Sequence, residues 1–167
     1  LSLELARVGA APAQARPSDP GRVLDQGDQA PGPTSLAVLD LPPLPGELPD
    51  GPRLWLAGAG AWPGWKRSGV AISFDDGASY DAVGQVPAPV PMGVARSILT
   101  PASAAGWDRF GYVDVELLAD SMWLESRSEA SVLSGANMAL LGNEIIQFAT
   151  VVALGSRQFR LSGLLRG

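Results

Sequence analysis

The 167-residue chain contains no histidine and no cysteine, and that removes much chemistry at once. Thiol nucleophiles, imidazole acid–base catalysis, Ser-His-Asp triads and metal sites built on Cys or His cannot be assembled from its side chains. The remaining candidates for proton transfer are carboxylates, with Tyr or Lys behind them. Asp75 and Asp76 stand side by side before Gly77. Such a pair could be catalytic or calcium-binding, but a hard cation needs about six to eight converging oxygens. An Asp-Asp-Gly tip is also ordinary turn chemistry, because Asp caps backbone amides there. Asp114 and Glu144 fall in segments that read as strands. Glycoside hydrolysis would need two carboxylates about 5–10 Å apart in a cleft, and solvated strand faces are the expectation for both. No catalytic residue, cofactor-binding residue or metal ligand is nominated, and no cofactor is implied.

Trp62-Pro63-Gly64-Trp65-Lys66 is the most unusual local feature. Two Trp in a Gly/Pro loop can stack on a sugar or anchor a protein interface, since Trp joins a large apolar area to one donor. They can equally cover one edge of a small β core. Trp62 and Trp65 are therefore the candidate interface or glycan-contact residues. Gly58-Ala59-Gly60-Ala61 lacks the Gly-Lys-Ser/Thr ending and following helix of a phosphate loop. Lys66 is the single lysine, so Arg–carboxylate pairing is the expected surface chemistry.

Charged residues make up 17% of the chain, below the roughly 25% of an average soluble domain. The net charge of −5 disfavours nucleic acid or an anionic membrane as the main partner. No run approaches the roughly 18–20 apolar residues of a transmembrane helix. The start, Leu1-Ser2-Leu3-Glu4-Leu5-Ala6-Arg7, has neither an initiator Met nor the form of a signal peptide. It reads as a piece of a longer chain.

Twenty Gly and 15 Pro argue for short strands and turns over a helical bundle. Residues 1–50 hold nine of the prolines and none of the five tryptophans. They read as a strand at Leu1–Arg7, the end of a preceding domain, then a Pro/Gly-rich linker over 9–33. An extended segment, Ser35–Leu41, and a Pro-rich run to Pro45 complete this part. Residues 51–167 read as one β domain. Strands are expected at Arg53–Gly58, Ser68–Phe74, Ser79–Val83 and Tyr112–Leu118, with a hairpin turn at Asp75-Asp76-Gly77. Ser126-Arg127-Ser128-Glu129 has capping-box spacing before Ala130, Val132 and Leu133, with Gly135 as a stop, which predicts one short helix near 127–134. Met138–Leu141 and Glu144–Ala149 form one hairpin about Gly142-Asn143. Val151–Leu154 and Gln158–Leu161 form another about Gly155-Ser156-Arg157. The fold class expected is mostly β: a small sandwich or open barrel of antiparallel hairpins. Ile146, Phe148, Val152, Phe159 and Leu161 are its expected core.

Ser73-Phe74-Asp75-Asp76-Gly77-Ala78-Ser79-Tyr80 resembles one copy of the Asp-box of sialidases and related propellers, where the motif is a structural hairpin. A wider resemblance lies at the C-terminus. Gly135-Ala136-Asn137, the run Leu140-Leu141-Gly142-Asn143-Glu144-Ile145-Ile146-Gln147-Phe148-Ala149, and Phe159-Arg160-Leu161-Ser162-Gly163-Leu164-Leu165-Arg166-Gly167 resemble a recurrent block of tail-tip and baseplate hub proteins. These belong to siphophage-like tails and gene transfer agent particles. Thr34–Pro42, Trp62-Pro63-Gly64-Trp65, the Ser73–Tyr80 motif and Val83-Gly84 are similar to upstream parts of the same block. Residues 1–10 resemble the last strand of a preceding hub domain. In the family the terminal motif runs on into a further Arg-Gly-Thr, whereas this sequence stops at Gly167. None of the matching residues is catalytic in the family.

The resemblance implies a non-enzymatic structural domain, assembled in the bacterial cytoplasm into the tail of a phage-like particle. Its partners would be other tail and baseplate proteins and other domains of the same longer chain, in an oligomer such as a trimer, with host-surface contact as a further role. The alternative is a carbohydrate-binding or carboxylate-based glycosidase accessory domain acting on envelope glycans. A secreted β-sandwich adhesin fits the composition but gives the tail-tip block no place. The discriminating feature is whether Trp62 and Trp65 line an open groove with carboxylates.

Overall fold

The computed structural model describes residues 28–43, 51 and 53–167. The expected Leu1–Arg7 strand, most of the 9–33 linker and the end of the Pro-rich run lie outside them. The fold is mostly β with antiparallel sheets, one of them nearly closed like a barrel, and one short helix. Nine strands are described: β1 Thr34–Leu39, β2 Trp55–Gly60, β3 Ser68–Ile72, β4 Asp81–Val86, β5 Gly93–Ala95, β6 Trp107–Leu117, β7 Met138–Leu141, β8 Glu144–Gly155 and β9 Gln158–Arg166. The helix α1, Glu129–Leu133, lies between β6 and β7. β1 pairs with β2, β3 with β4, and the barrel-like sheet runs β5-β6-β9-β8-β7.

The helix forms where the capping pattern predicts, with one change of cap. Ser128, not Ser126, accepts the Ser131 amide, while Ser126 Oγ faces the backbone of Val151 across to β8. At the other end Gly135 takes φ +95°. The Ala136 amide reaches the Ser131 carbonyl and the Gly135 amide the Val132 carbonyl, the paired bonds that close a helix at a left-handed residue.

Several strand boundaries move once pairing is in place. β2 starts and ends two residues later than expected because it pairs along its whole length with β1, Thr34 facing Gly60 and Leu39 facing Trp55. β1, placed by composition with the linker, thus joins the segment after residue 51. The expected tight Asp-Gly turn between β3 and β4 is instead a wider loop over residues 73–80. β5, too short to show periodicity, was not expected. Glu144–Ala149 and Val151–Leu154 are a single strand, β8, running to Gly155.

That continuity explains a correction in the core. Ile146, Phe148, Phe159 and Leu161 are buried as expected, but Val152 is 49% exposed and Val151 packs inward in its place. In the β8–β9 ladder Phe148 faces Leu164, whereas Val151 faces Leu161 and Val152 faces Arg160. Residues on one side of the ladder are buried up to Phe148 and Leu164; beyond Ala149 and Gly163 the buried side is the other one. Gly163, at φ +61° in mid-strand, supplies the backbone state that makes the turnover possible. Opposite it, β6 carries a bulge between Asp108 and Tyr112. The core is one cluster around Val113, Leu117, Ile146, Phe148, Phe159, Leu161 and Leu164, with Ala59 of β2 joined to it.

Phe148→Ala should cost about 3–5 kcal/mol in chemical denaturation. Val152→Ala, on the exposed side, should cost less than about 1 kcal/mol. A Phe148→Ala loss below about 1 kcal/mol would refute this packing.

Candidate functional site

The two tryptophans singled out by the sequence part company. Trp65 is buried, 5% exposed, and its indole Nε1 donates to Thr34 Oγ1 at 2.8 Å. A Cβ on Gly60 would meet the Trp65 ring at about 2.5 Å, so the Gly-Ala-Gly run of β2 is cut to receive this indole. The run dismissed as a phosphate loop is therefore a strand shaped by packing. Trp62 is 53% exposed, yet Gly32 lies directly against its ring, which would stand 2.6 Å from a Cβ at that glycine. The turn is closed by the Trp65 amide on the Trp62 carbonyl. The two rings do not form a shared platform: one is spent on the interior and the other is half covered.

Asp75 organises the 73–80 loop. Its carboxylate accepts from Ser73 Oγ at 2.8 Å, from the Ser79 amide at 2.9 Å and from Ser79 Oγ at 2.6 Å, and Ser73 Oγ takes the Gly77 amide. Asp76 sits at φ +54°. These bonds, the Ser79 hydroxyl first, lower the Asp75 pKa from 3.8 to about 2. The pair is loop chemistry, as the simpler reading expected, and among the described residues only the Asp75 carboxylate is engaged.

The carboxylates expected on solvated strand faces, Asp114 and Glu144, are clasped by arginines. Asp114 and Arg160 face each other across β6 and β9 in a bidentate pair, 2.7 and 2.8 Å, with the guanidinium 4.1 Å over the Tyr112 ring. Glu116 receives Arg96 at 2.6 Å and Arg157 at 3.0 Å. Arg157 also donates to the Leu118 carbonyl. Glu129, in the first turn of α1, holds Arg109, whose guanidinium lies 5.7 Å from the Trp107 ring centre.

The most enclosed of these groups is one that the sequence did not single out. The Arg166 side chain is only 6% exposed. It makes a bidentate pair with Glu144, donates Nη1 to the Thr100 carbonyl at 3.0 Å and lies 3.5 Å from Asp108 Oδ2. Asp108 Oδ1 takes the Gly111 and Phe110 amides in the β6 bulge, while its buried Oδ2 has no hydrogen-bond donor. Only the Arg-Gly ending of the resemblance block drew attention to Arg166, and nothing local could reveal its partners, which lie 22, 58 and 66 positions away.

Arginine bonding holds the Asp114, Glu116, Glu129 and Glu144 carboxyls below their usual range. Such groups are ionised near neutrality and accept hydrogen bonds; they are poorly placed to donate a proton. Among the described residues no group of three or more acidic side chains converges as metal ligands. A shallow cleft of about 310 Å³ borders Ala102, Ser103, Trp107 and Phe110.

Comparison with known families adds one finding. Residues 90–167, a little under half the chain, match a family model described as Rcc01698-like, C-terminal. The matched segment contains the entire five-stranded sheet and α1. No curated protein matches the chain.

Arg166→Met should destabilise by about 3 kcal/mol at neutral pH, because it leaves the buried Asp108 carboxylate without its cation and the part-exposed Glu144 without its pair. Glu144 has a depressed pKa, so its contribution is full above its ordinary value of 4.5 and fades as acid drives pH through the lowered one. The deficit of Arg166→Met against wild type should therefore shrink in denaturation series below about pH 4. A separate titration followed by carboxyl carbon shifts should place Asp75 near 2. Ser79→Ala should move that midpoint back toward 3.8; an unmoved midpoint would show that the loop bonds are not its cause.

Proposed function

We propose that this chain is a non-enzymatic structural segment of a phage-like tail or baseplate hub, working through contacts with other tail proteins and with other domains of a longer chain. The observation that carries the reading is the fate of the carboxylates. In a chain without histidine or cysteine, these are the main groups able to move protons, and on the barrel-like sheet they are committed to arginine pairs. Three of them, Asp114, Glu116 and Glu144, and Glu129 in α1 carry lowered pKa values, the opposite of what a general acid near neutral pH requires. Cross-strand ion pairs and a tightly tied helix suit a part that holds its shape under assembly. The tail-hub resemblance of residues 34–167 supports the assembly part of the reading: an oligomer in the particle tail, formed in the bacterial cytoplasm.

The carbohydrate-binding alternative rested on Trp62 and Trp65 acting together. The burial of Trp65 and the covering of one Trp62 face by Gly32 weigh against it, and contact with host glycans would fall to Trp62 alone.

Two measurements test the reading. An epitope tag on the chain, expressed in the cells that encode it, should follow tail-bearing particles through a density gradient. A tag that stays with free protein would overturn the assignment. A glycan array with peptidoglycan and lipopolysaccharide pull-downs should give no retention by the folded chain. Retention abolished by Trp62→Ala would move the assignment to envelope recognition.

A further inference from the structure

The hairpin β3–β4 differs from the rest of the molecule. Among the described residues β3 is paired only with β4, and they leave both its faces largely open. A Cβ at Gly69 or Gly84 would stand in free space. Phe74, Tyr80, Val83 and Ile72 are 83%, 68%, 57% and 41% exposed. A two-stranded sheet with an unsupported apolar surface is marginal alone; a third or fourth strand is the usual remedy. Parts of β6 and β8 that extend past their neighbours in the five-stranded sheet are covered. The backbone of Arg127 and Ser126 runs along β8 beyond β7, and Arg96 and Ser97 run along β6 beyond β5.

β3 carries none of the devices that keep an edge strand solitary. Ser68–Ile72 holds no proline and no charge, and the hairpin's irregularity places the extra residue, Val83, on β4. Charge is arranged at its two ends instead. Lys66 and Arg67 precede the strand; Asp75 and Asp76 follow it, and Asp81 opens β4. Arg96, Arg109, Arg127, Arg157, Arg160 and Arg166 all have carboxylate partners. Lys66, Arg67, Asp76 and Asp81 have none among the described residues.

We infer that the open edge of β3 is a self-association surface that takes β3 of a second copy of this chain in antiparallel pairing. With a two-fold axis at Val70, Ser68 lies opposite Ile72 of the second copy, Arg67 opposite its Ser73 and Lys66 opposite its Phe74. The cationic entry of each strand then stands beside the acidic 75–81 loop of the other, and symmetry repeats the match. The product is a four-stranded sheet, β4-β3-β3-β4, with Val70 and Ile72 on one side of each central strand.

Sedimentation velocity over a concentration series tests this with the 167-residue chain. The wild type should show a concentration-dependent monomer–dimer equilibrium that weakens with salt. Lys66→Glu/Arg67→Glu should raise the dissociation constant by about tenfold or more, and Asp76→Asn/Asp81→Lys likewise. An equimolar mixture of the two variants should restore dimers, since each supplies the charge that the other lacks. Amide chemical shifts of β3 and β4 check that the hairpin is retained. If a variant loses it, Lys66→Gln/Arg67→Gln replaces the reversal and should still weaken the dimer. A wild type monomeric up to about 1 mM, a dimer indifferent to both charge variants, or a mixture that stays monomeric would each overturn the inference.

Discussion

Two strands of twelve and nine residues are longer than a small core can cover from one side. A straight strand would keep one face inward along its whole length and carry half its apolar side chains past the end of the core. β8 and β9 escape this by exchanging buried faces at Ala149 and Gly163, where the left-handed glycine lets β9 turn. The β6 bulge between Asp108 and Tyr112 accommodates the same twist from the other side. Much else follows from that point. Phe148 and Leu161, on opposite sides of an ideal ladder, reach one core. Val152 is turned to solvent, and the far end of the ladder presents Arg166 to an enclosed site.

The arginine pairs are consequences of the same geometry. Asp114 meets Arg160 because β6 and β9 are in that register, and Glu144 meets Arg166 because Ile146 faces Arg166 two positions on. The first pair is partly exposed and its contribution is modest. The Arg166 group is more enclosed and more exacting. One guanidinium serves Glu144, Asp108 and a backbone carbonyl together, so the loop at Thr100, the bulge of β6 and the start of β8 are tied to the last residues of β9. A charge group of this kind is weak evidence for stability gained over an apolar substitute. It does fix which segments meet.

How much of this could be read beforehand depends on how local the determinant is. The helix and its stop were legible because capping signals and Gly135 act within one turn of chain, although the cap is Ser128 and not Ser126. The β7–β8 hairpin was legible because Gly142 takes φ +62° between two apolar runs. The burial of Ile146, Phe148, Phe159 and Leu161 followed from alternation. Val152 failed because alternation holds only while a strand keeps its face, and the residue that ends it, Gly163, lies on the neighbouring strand. β1 and β2 were displaced in the reading because nothing local announces that Thr34 will receive the Trp65 indole. The Arg166 group could not be read at all, being built from four distant segments.

The two parts of the molecule are held together by different means. Within residues 90–167 five strands share a dry core, and polar side chains finish the edges: Gln147 takes up the Val132 and Ala136 carbonyls below α1, and Asn137 those of Glu125 and Phe148. Over residues 34–86 there are two separate ribbons. Their order comes from single contacts, Ala59 in the core, Val86 beside Gly58, Trp65 against Gly60, and a carboxylate tying one loop. Apolar burial grows with the number of strands that share a face, and the five-stranded part holds all of the core cluster but Ala59. Of the two ribbons β3–β4 is the more open, whereas Gly58, Ala59 and Gly60 of β2 are buried.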